Sequence, residues 1–274
     1  MTRAAVCRGR RASASLVLLA VLAAGCMSTP SPPTPGPHEV RYRLTWERDG
    51  VRTTSDGGWE VANDLGYLVH VTRGWVTSYS MELVECPKDA ADATPWNVGD
   101  VLWPALESPA WAGHMAGTPN PAAIRPMQVE SLTDVEPHQA GTVTLAPQAY
   151  CKLHYLVARA GHDSPGLPPD LDMVDTTLHL DGIVRAPGAS SDVPLTVHTA
   201  LAYGQLFERA ATPPAAIHVD SGLGAMEVEV RRHLGRMFDG VDFAKMADRA
   251  VALQILKALV DHVDVEIVPL DGKS

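Results

Sequence analysis

Short stretches in which apolar residues take every second position recur through this chain, and they restrict it to sheet-forming architectures before any residue is given a role. Val40, Tyr42, Leu44 and Trp46 alternate with Arg41, Arg43 and Thr45. A period of two puts the first set on one face of a strand and the second on the other. Tyr67 to Val71 and Trp75 to Val84 read as two further strands separated by Gly74, with Trp75, Tyr79, Met81 and Leu83 sharing one parity. Tyr150 to Val157 turns Cys151, Leu153, Tyr155 and Val157 one way. Thr176 to Val184 and Val193 to Ala202 form a strand pair through Pro187-Gly188, and Met226 to Val230 alternates again. Asp49-Gly50 and Asp56-Gly57-Gly58 mark turns. Pro194 confines its strand to a sheet edge or a strand start, because it has no N–H to give a ladder.

One helix is expected, from Ala244 to Asp261. Gln254, Lys257 and Asp261 recur there as a narrow polar stripe, while Val251, Leu253, Ile255, Leu256, Leu259 and Val260 cover most of the remaining circumference. So wide an apolar arc belongs to a helix packed on the core. Asp242 is placed to cap its start, and Val263 to Ile267 alternates as a closing strand. The expected fold is mainly β, an antiparallel β-sandwich with a late C-terminal helix. Between Pro87 and Glu136 no apolar spacing persists, so that stretch is expected to be a long irregular loop, of the kind that is functional or disordered.

The N-terminus has a separate logic. Arg3, Arg8, Arg10 and Arg11 form a basic region, Leu16 to Ala24 a short apolar run, and Leu22-Ala23-Ala24-Gly25-Cys26 closes it. The run is shorter than the roughly 20 apolar residues of a membrane span. This pattern resembles the lipobox of bacterial lipoproteins, with Ala23 where Leu is usual. The resemblance implies cleavage before Cys26 and acylation (palmitate-type chains) of its thiol. An ordinary secretory signal peptide is the plainer alternative. The expected organisation is a signal peptide over 1–25, a tether over 26–38 in which Pro30, Pro32, Pro33, Pro35 and Pro37 favour extended polyproline geometry, and a β-sandwich domain over 39–274. The expected location is the bacterial cell envelope, with the body facing the periplasm or the exterior.

Export changes how the four cysteines count. Cys7 lies in the discarded region and Cys26 carries lipid, which leaves Cys86 and Cys151. In an oxidising compartment these two read as a disulfide more simply than as a metal pair or a nucleophile, with two buried free thiols as the alternative. The formal net charge is −10, and cleavage removes four further positive charges. An acidic body repels phosphate, so nucleic acid is not an expected partner, and membrane contact falls to the acyl chains.

Gly66-Tyr-Leu-Val, a strand ending at Cys86, Ala112-Gly-His-Met115, Tyr150-Cys151 and Phe238-Asp-Gly-Val-Asp-Phe243 occur in this order. Together they resemble uncharacterised bacterial β-sandwich lipoproteins and, more distantly, are similar to periplasmic copper-binding proteins associated with methanobactin uptake. The resemblance implies an extracytoplasmic β-sandwich that binds copper or another soft metal. It carries over no ligand.

Among the residues themselves, His114 and Met115 are the candidate metal ligands, since imidazole and thioether suit copper. A solvated loop histidine beside a packed methionine is the plainer reading. The other histidines, of eleven in all, have no strong metal spacing such as His-Glu-x-x-His. His154 and His179 share parity with Lys152 and Asp181, which turns them away from the apolar face. His70 and His198 are undecided. Asp239 and Asp242 offer too few oxygens for calcium and read as a turn. No Gly-x-Ser-x-Gly elbow, dinucleotide loop or phosphate loop is present, so no enzymatic activity is expected. The two functional expectations are a copper-binding lipoprotein and a non-catalytic surface lipoprotein that binds a protein partner through the long loop.

Overall fold

The first alternating stretch is β1 (His38–Glu47), and its core parity holds: Val40, Tyr42 and Leu44 are fully buried. The computed structural model describes residues 38–86, 121–145, 149–208, 217–218 and 225–270. All belong to the second of the two units into which the chain divides, 35–274. In chain order the remaining strands are β2 (Arg52–Thr53), β3 (Trp59–Ala62), β4 (Leu68–Glu85), β5 (Ala123–Ile124), β6 (Gln128–Ser131), β7 (His138–Leu145), β8 (Ala149–Val157), β9 (Leu178–Arg185), β10 (Val193–Thr199), β11 (Tyr203–Glu208), β12 (Ile217–His218), β13 (Met226–His233) and β14 (Val263–Pro269). One α-helix, α1 (Asp248–Asp261), precedes the last strand.

The protein is mainly β and sandwich-like. One sheet has four strands in the order β14-β13-β1-β7. The other has ten and runs β10-β9-β4-β3-β2, with β8, β5 and β6 also on β4, and β11 and β12 on β8. Among the named strands every pairing is antiparallel except that of β1 with β13, which is parallel and in register from Val40↔Met226 to Glu47↔His233. Val40, Tyr42, Leu44, Val228 and Val230 of the smaller sheet share one core with Trp59, Val69, Val71, Leu83, Leu153, Tyr155 and Leu180 of the larger. Each fully buried aliphatic side chain of this kind contributes roughly 1.5–3 kcal/mol.

The strands expected either side of Gly74 are one continuous strand, β4. Gly74 marks close packing rather than a break, since a Cβ there would lie 2.9 Å from Leu180 Cδ2. The expected common parity of Trp75, Tyr79, Met81 and Leu83 does not hold, because the register shifts between Val71 and Arg73 and between Ser78 and Ser80. Each irregularity resets which side chains face inward. Met81 and Leu83 are fully buried, whereas Trp75 and Tyr79 are half-buried. Within the stretch expected to be irregular, β5 and β6 pair with β4. Strands of two and four residues are too short for alternation to be visible.

Pro194 stands in β10 at the edge of the ten-stranded sheet, as its missing N–H requires. Helix α1 buries Val251, Ala252, Ile255, Leu256, Ala258, Leu259 and Val260 against the core. It begins later than expected and Asp242 does not cap it: the N-cap is Ala247, with no side-chain hydrogen bond. Asp242 Oδ1 instead accepts from the Tyr67 hydroxyl at 2.8 Å and the Ala244 N–H at 3.2 Å. That geometry organises a separate turn ahead of the helix. Asp248 supplies the acidic residue of the first helical turn, where the helix dipole favours it.

Candidate functional site

Cys86 and Cys151 are joined as a disulfide between the end of β4 and β8. The adjacent backbone is tied as well, with the Cys86 N–H donating to the Ala149 carbonyl at 2.9 Å. The return of the intervening segment is fixed at the same end of β4. Buried Tyr42 donates its hydroxyl to the Ala122 carbonyl at 2.6 Å and accepts the Leu83 N–H at 3.2 Å. Burial pushes the Tyr42 phenol well above its ordinary pKa. Cys86 and Ala122, the described residues on either side of 87–120, are therefore tied to the core. His114 and Met115 on that segment, and the lipidation candidate Cys26, lie outside the described residues.

The sequence reading did not anticipate a charged cluster between the sheets. Arg232 follows Met226, Val228 and Val230 on the inward parity of β13 and is fully buried. Its Nη1 and Nη2 donate to Glu130 Oε1 and Oε2 of β6 at 2.7 and 2.6 Å. Nη1 also donates to Ser78 Oγ of β4 at 3.1 Å, and Nε to the Thr45 carbonyl of β1 at 3.3 Å. Ser78 donates to Glu130 Oε1 at 2.6 Å and lies 2.8 Å from the Tyr155 hydroxyl of β8. The Trp46 ring stacks under the guanidinium at 4.0 Å, and its Nε1 donates to Glu130 at 3.3 Å. Burial works to raise the Glu130 carboxyl, but the Arg232 charge outweighs it and holds the pKa below the ordinary range. His138 Nδ1 of β7 lies 3.6 Å from Glu130, and burial lowers the pKa of its imidazole. A pocket of about 190 Å³ reaches this cluster past Trp46, Gln128, Asp134 and Glu136. Extending the β13 alternation by one more inward position, to Arg232, is the sequence signal that points to it.

The strand histidines are placed as parity requires. His154 Nδ1 stands 3.6 Å from Glu82, and His179 Nε2 bonds Asp181 Oδ2 at 2.9 Å. His70 turns to Thr54 and Asp56, each 3.2 Å from its Nε2. His198 is exposed on the edge strand, with Nε2 2.8 Å from Thr176 Oγ1. Asp239 pairs with Arg236 and Asp242 with Lys245. Among the described residues no group of three or more His, Cys, Asp or Glu has metal-holding geometry. No helix among them is long and apolar enough to cross a membrane.

A groove of about 910 Å³ separates edge strand β10 from α1, with Leu195, Val197, Phe243, Met246 and Val251 along it and Arg249 on the helix side. The disulfide, the inter-sheet ion pair and this groove are the features of the described residues that bear on function. No known family model, curated protein or solved structure matches the chain.

Proposed function

We propose that this chain is an extracytoplasmic, lipid-tethered β-sandwich protein that binds a soft metal ion, copper first, and catalyses no reaction on it. The observation that carries the reading is the Cys86–Cys151 disulfide at the base of residues 87–120. Such a bond belongs to an oxidising compartment, which agrees with the lipobox-like Leu22 to Cys26 and the proline-rich tether. In the sequence, His114 and Met115 follow Cys86 of that bond. A thioether beside an imidazole favours copper(I) over harder ions. The resemblance to lipoproteins and to methanobactin-associated copper-binding proteins points the same way.

The test is an anaerobic copper(I) titration of the full-length protein in detergent, with ascorbate as reductant. One equivalent should bind, and His114→Ala and Met115→Leu should each weaken binding at least tenfold. Absence of stoichiometric binding, or binding indifferent to both substitutions, overturns the metal reading. The groove beside β10 favours a second reading, in which the body binds a protein partner and the tryptophans of residues 87–120 serve as anchors.

A further inference from the structure

Trp75, His179 and His198 stand side by side across β4, β9 and β10, since the registers place Trp75 opposite His179 and His179 opposite His198. They share the outer face of the sheet, because their strand neighbours Val76, Leu178, Leu180 and Val197 are buried in the core. The two imidazole centroids are 5.9 Å apart with the rings edge to face, and the Trp75 ring centre is 6.3 Å from that of His179.

Each imidazole is held by one nitrogen only. His179 Nε2 lies against the Asp181 carboxylate, which can only accept, so this nitrogen carries the proton. The carboxylate is steadied in turn by Thr196, whose hydroxyl donates to Oδ1 at 3.3 Å. The Thr176 hydroxyl lies 2.8 Å from His198 Nε2 and 3.4 Å from the Val174 carbonyl, so when its hydrogen goes to that carbonyl its lone pair accepts from Nε2. His179 is therefore fixed as the Nε2–H tautomer with a bare Nδ1 lone pair, and His198 offers the same lone pair in the tautomer that donates to Thr176. Neither Nδ1 makes a hydrogen bond to the described residues.

An imidazole pinned through one nitrogen by a carboxylate or hydroxyl, with the other nitrogen free, is how proteins prepare a histidine for a metal. Two imidazoles bound to one ion through bonds of about 2 Å place their ring centres roughly 4.5–6.5 Å apart. The observed separation lies in that interval.

We propose that His179 and His198 bind one divalent transition-metal ion of the class that prefers imidazole nitrogen, copper(II) ahead of zinc, through their Nδ1 atoms. Water completes the coordination, and Asp181 is a positioning residue rather than a ligand. Nothing in this site depends on His114 or Met115. His198 also lines the groove beside α1, so one side of the ion faces open space.

The experiment is a copper(II) titration of the full-length oxidised protein, followed by tryptophan fluorescence and electron paramagnetic resonance. The expected result is saturable binding with nitrogen hyperfine structure from two imidazoles. Quenching should fall in Trp75→Phe while the resonance signal stays. His179→Ala and His198→Ala should each weaken binding at least tenfold, Asp181→Asn by about 10–100-fold, and His114→Ala should leave it unchanged. Thermal unfolding of each variant verifies that it is folded. Binding that survives the His179→Ala/His198→Ala double substitution overturns the proposal, as does an equal loss in His70→Ala, which marks adventitious surface imidazole. Dependence on His114 alone overturns it too and returns all copper to residues 87–120.

Discussion

Glu130 and Arg232 meet end to end inside the sandwich, both carboxylate oxygens engaged by both terminal guanidinium nitrogens at 2.6 and 2.7 Å. One residue comes from the ten-stranded sheet and the other from the four-stranded sheet, so this pair is a charged link between the layers. Bidentate geometry and the surrounding hydroxyls offset the loss of hydration that burial imposes on both charges.

Removing one partner leaves the other charge buried alone. Glu130→Ala or Arg232→Met is expected to lower unfolding free energy by about 3–5 kcal/mol, whereas replacing both with apolar residues of similar volume is expected to recover most of that loss. Urea denaturation of the singles and the double measures both. A single-substitution loss below about 0.5 kcal/mol, the size expected of a surface site, would contradict the inter-sheet role.

His138 of this cluster and His262, the C-cap residue of α1, set a pH dependence. Burial lowers the pKa of His138 and of His262, so each contributes stability that is present above the ordinary histidine value near ~6.5 and lost as pH falls through its folded value. Glu130 is also lowered, and its contribution is lost at still lower pH, below the carboxylate range. Stability is expected to decline from neutral pH downward, first through the histidines. A series of urea midpoints from pH 8 to 4 measures this, and His138→Phe should flatten the decline between pH 7 and 5. An unaltered slope in that variant contradicts the assignment.

Asn63 is a second buried anchor. Its Nδ2 donates to the Phe238 and Val241 carbonyls at 3.1 and 2.9 Å, and its Oδ1 accepts from the Leu65 and Tyr67 N–H groups. Asn63→Ala strands those backbone groups and is expected to cost about 3 kcal/mol, measured as a shift in denaturation midpoint. Asn63→Asp sets a buried carboxylate oxygen against the Phe238 and Val241 carbonyls, acceptor facing acceptor, and is expected to cost at least as much.

The disulfide encloses a sequence separation of 65. Loop-closure entropy assigns a bridge of that span about 4 kcal/mol. Cys86→Ser/Cys151→Ser is expected to lose stability on that scale, and a non-reducing peptide map should recover the two cysteines in one linked species. Recovery of both as free thiols from protein purified out of the envelope overturns the compartment on which the proposed function rests.

Much of the fold was legible because its physics is local. Alternation placed β1, β8, β9 and β13, Pro194 marked the edge strand, and the apolar arc of α1 predicted a packed helix. What alternation cannot carry is register irregularity: the two shifts in β4 moved Trp75 and Tyr79 off the inward face that Met81 and Leu83 occupy. A charged residue at an inward position is equally hard to read, since Arg232 finds its counter-charge 102 residues away. Nothing in a strand's own sequence announces such a partner. The histidine pair was hidden in the same way, because His179 and His198 become neighbours only when β9 and β10 align.

The parallel pairing of β1 with β13 also has a mechanical meaning. Beta1 lies between two partners, β13 on one side and β7 on the other. Any force transmitted along the chain from its N-terminal side pulls on this interior strand lengthwise. Both ladders then bear the load in shear, with their hydrogen bonds resisting together instead of opening one after another. An N-terminal tether of the kind proposed would therefore grip the body through a strand that is paired on both sides.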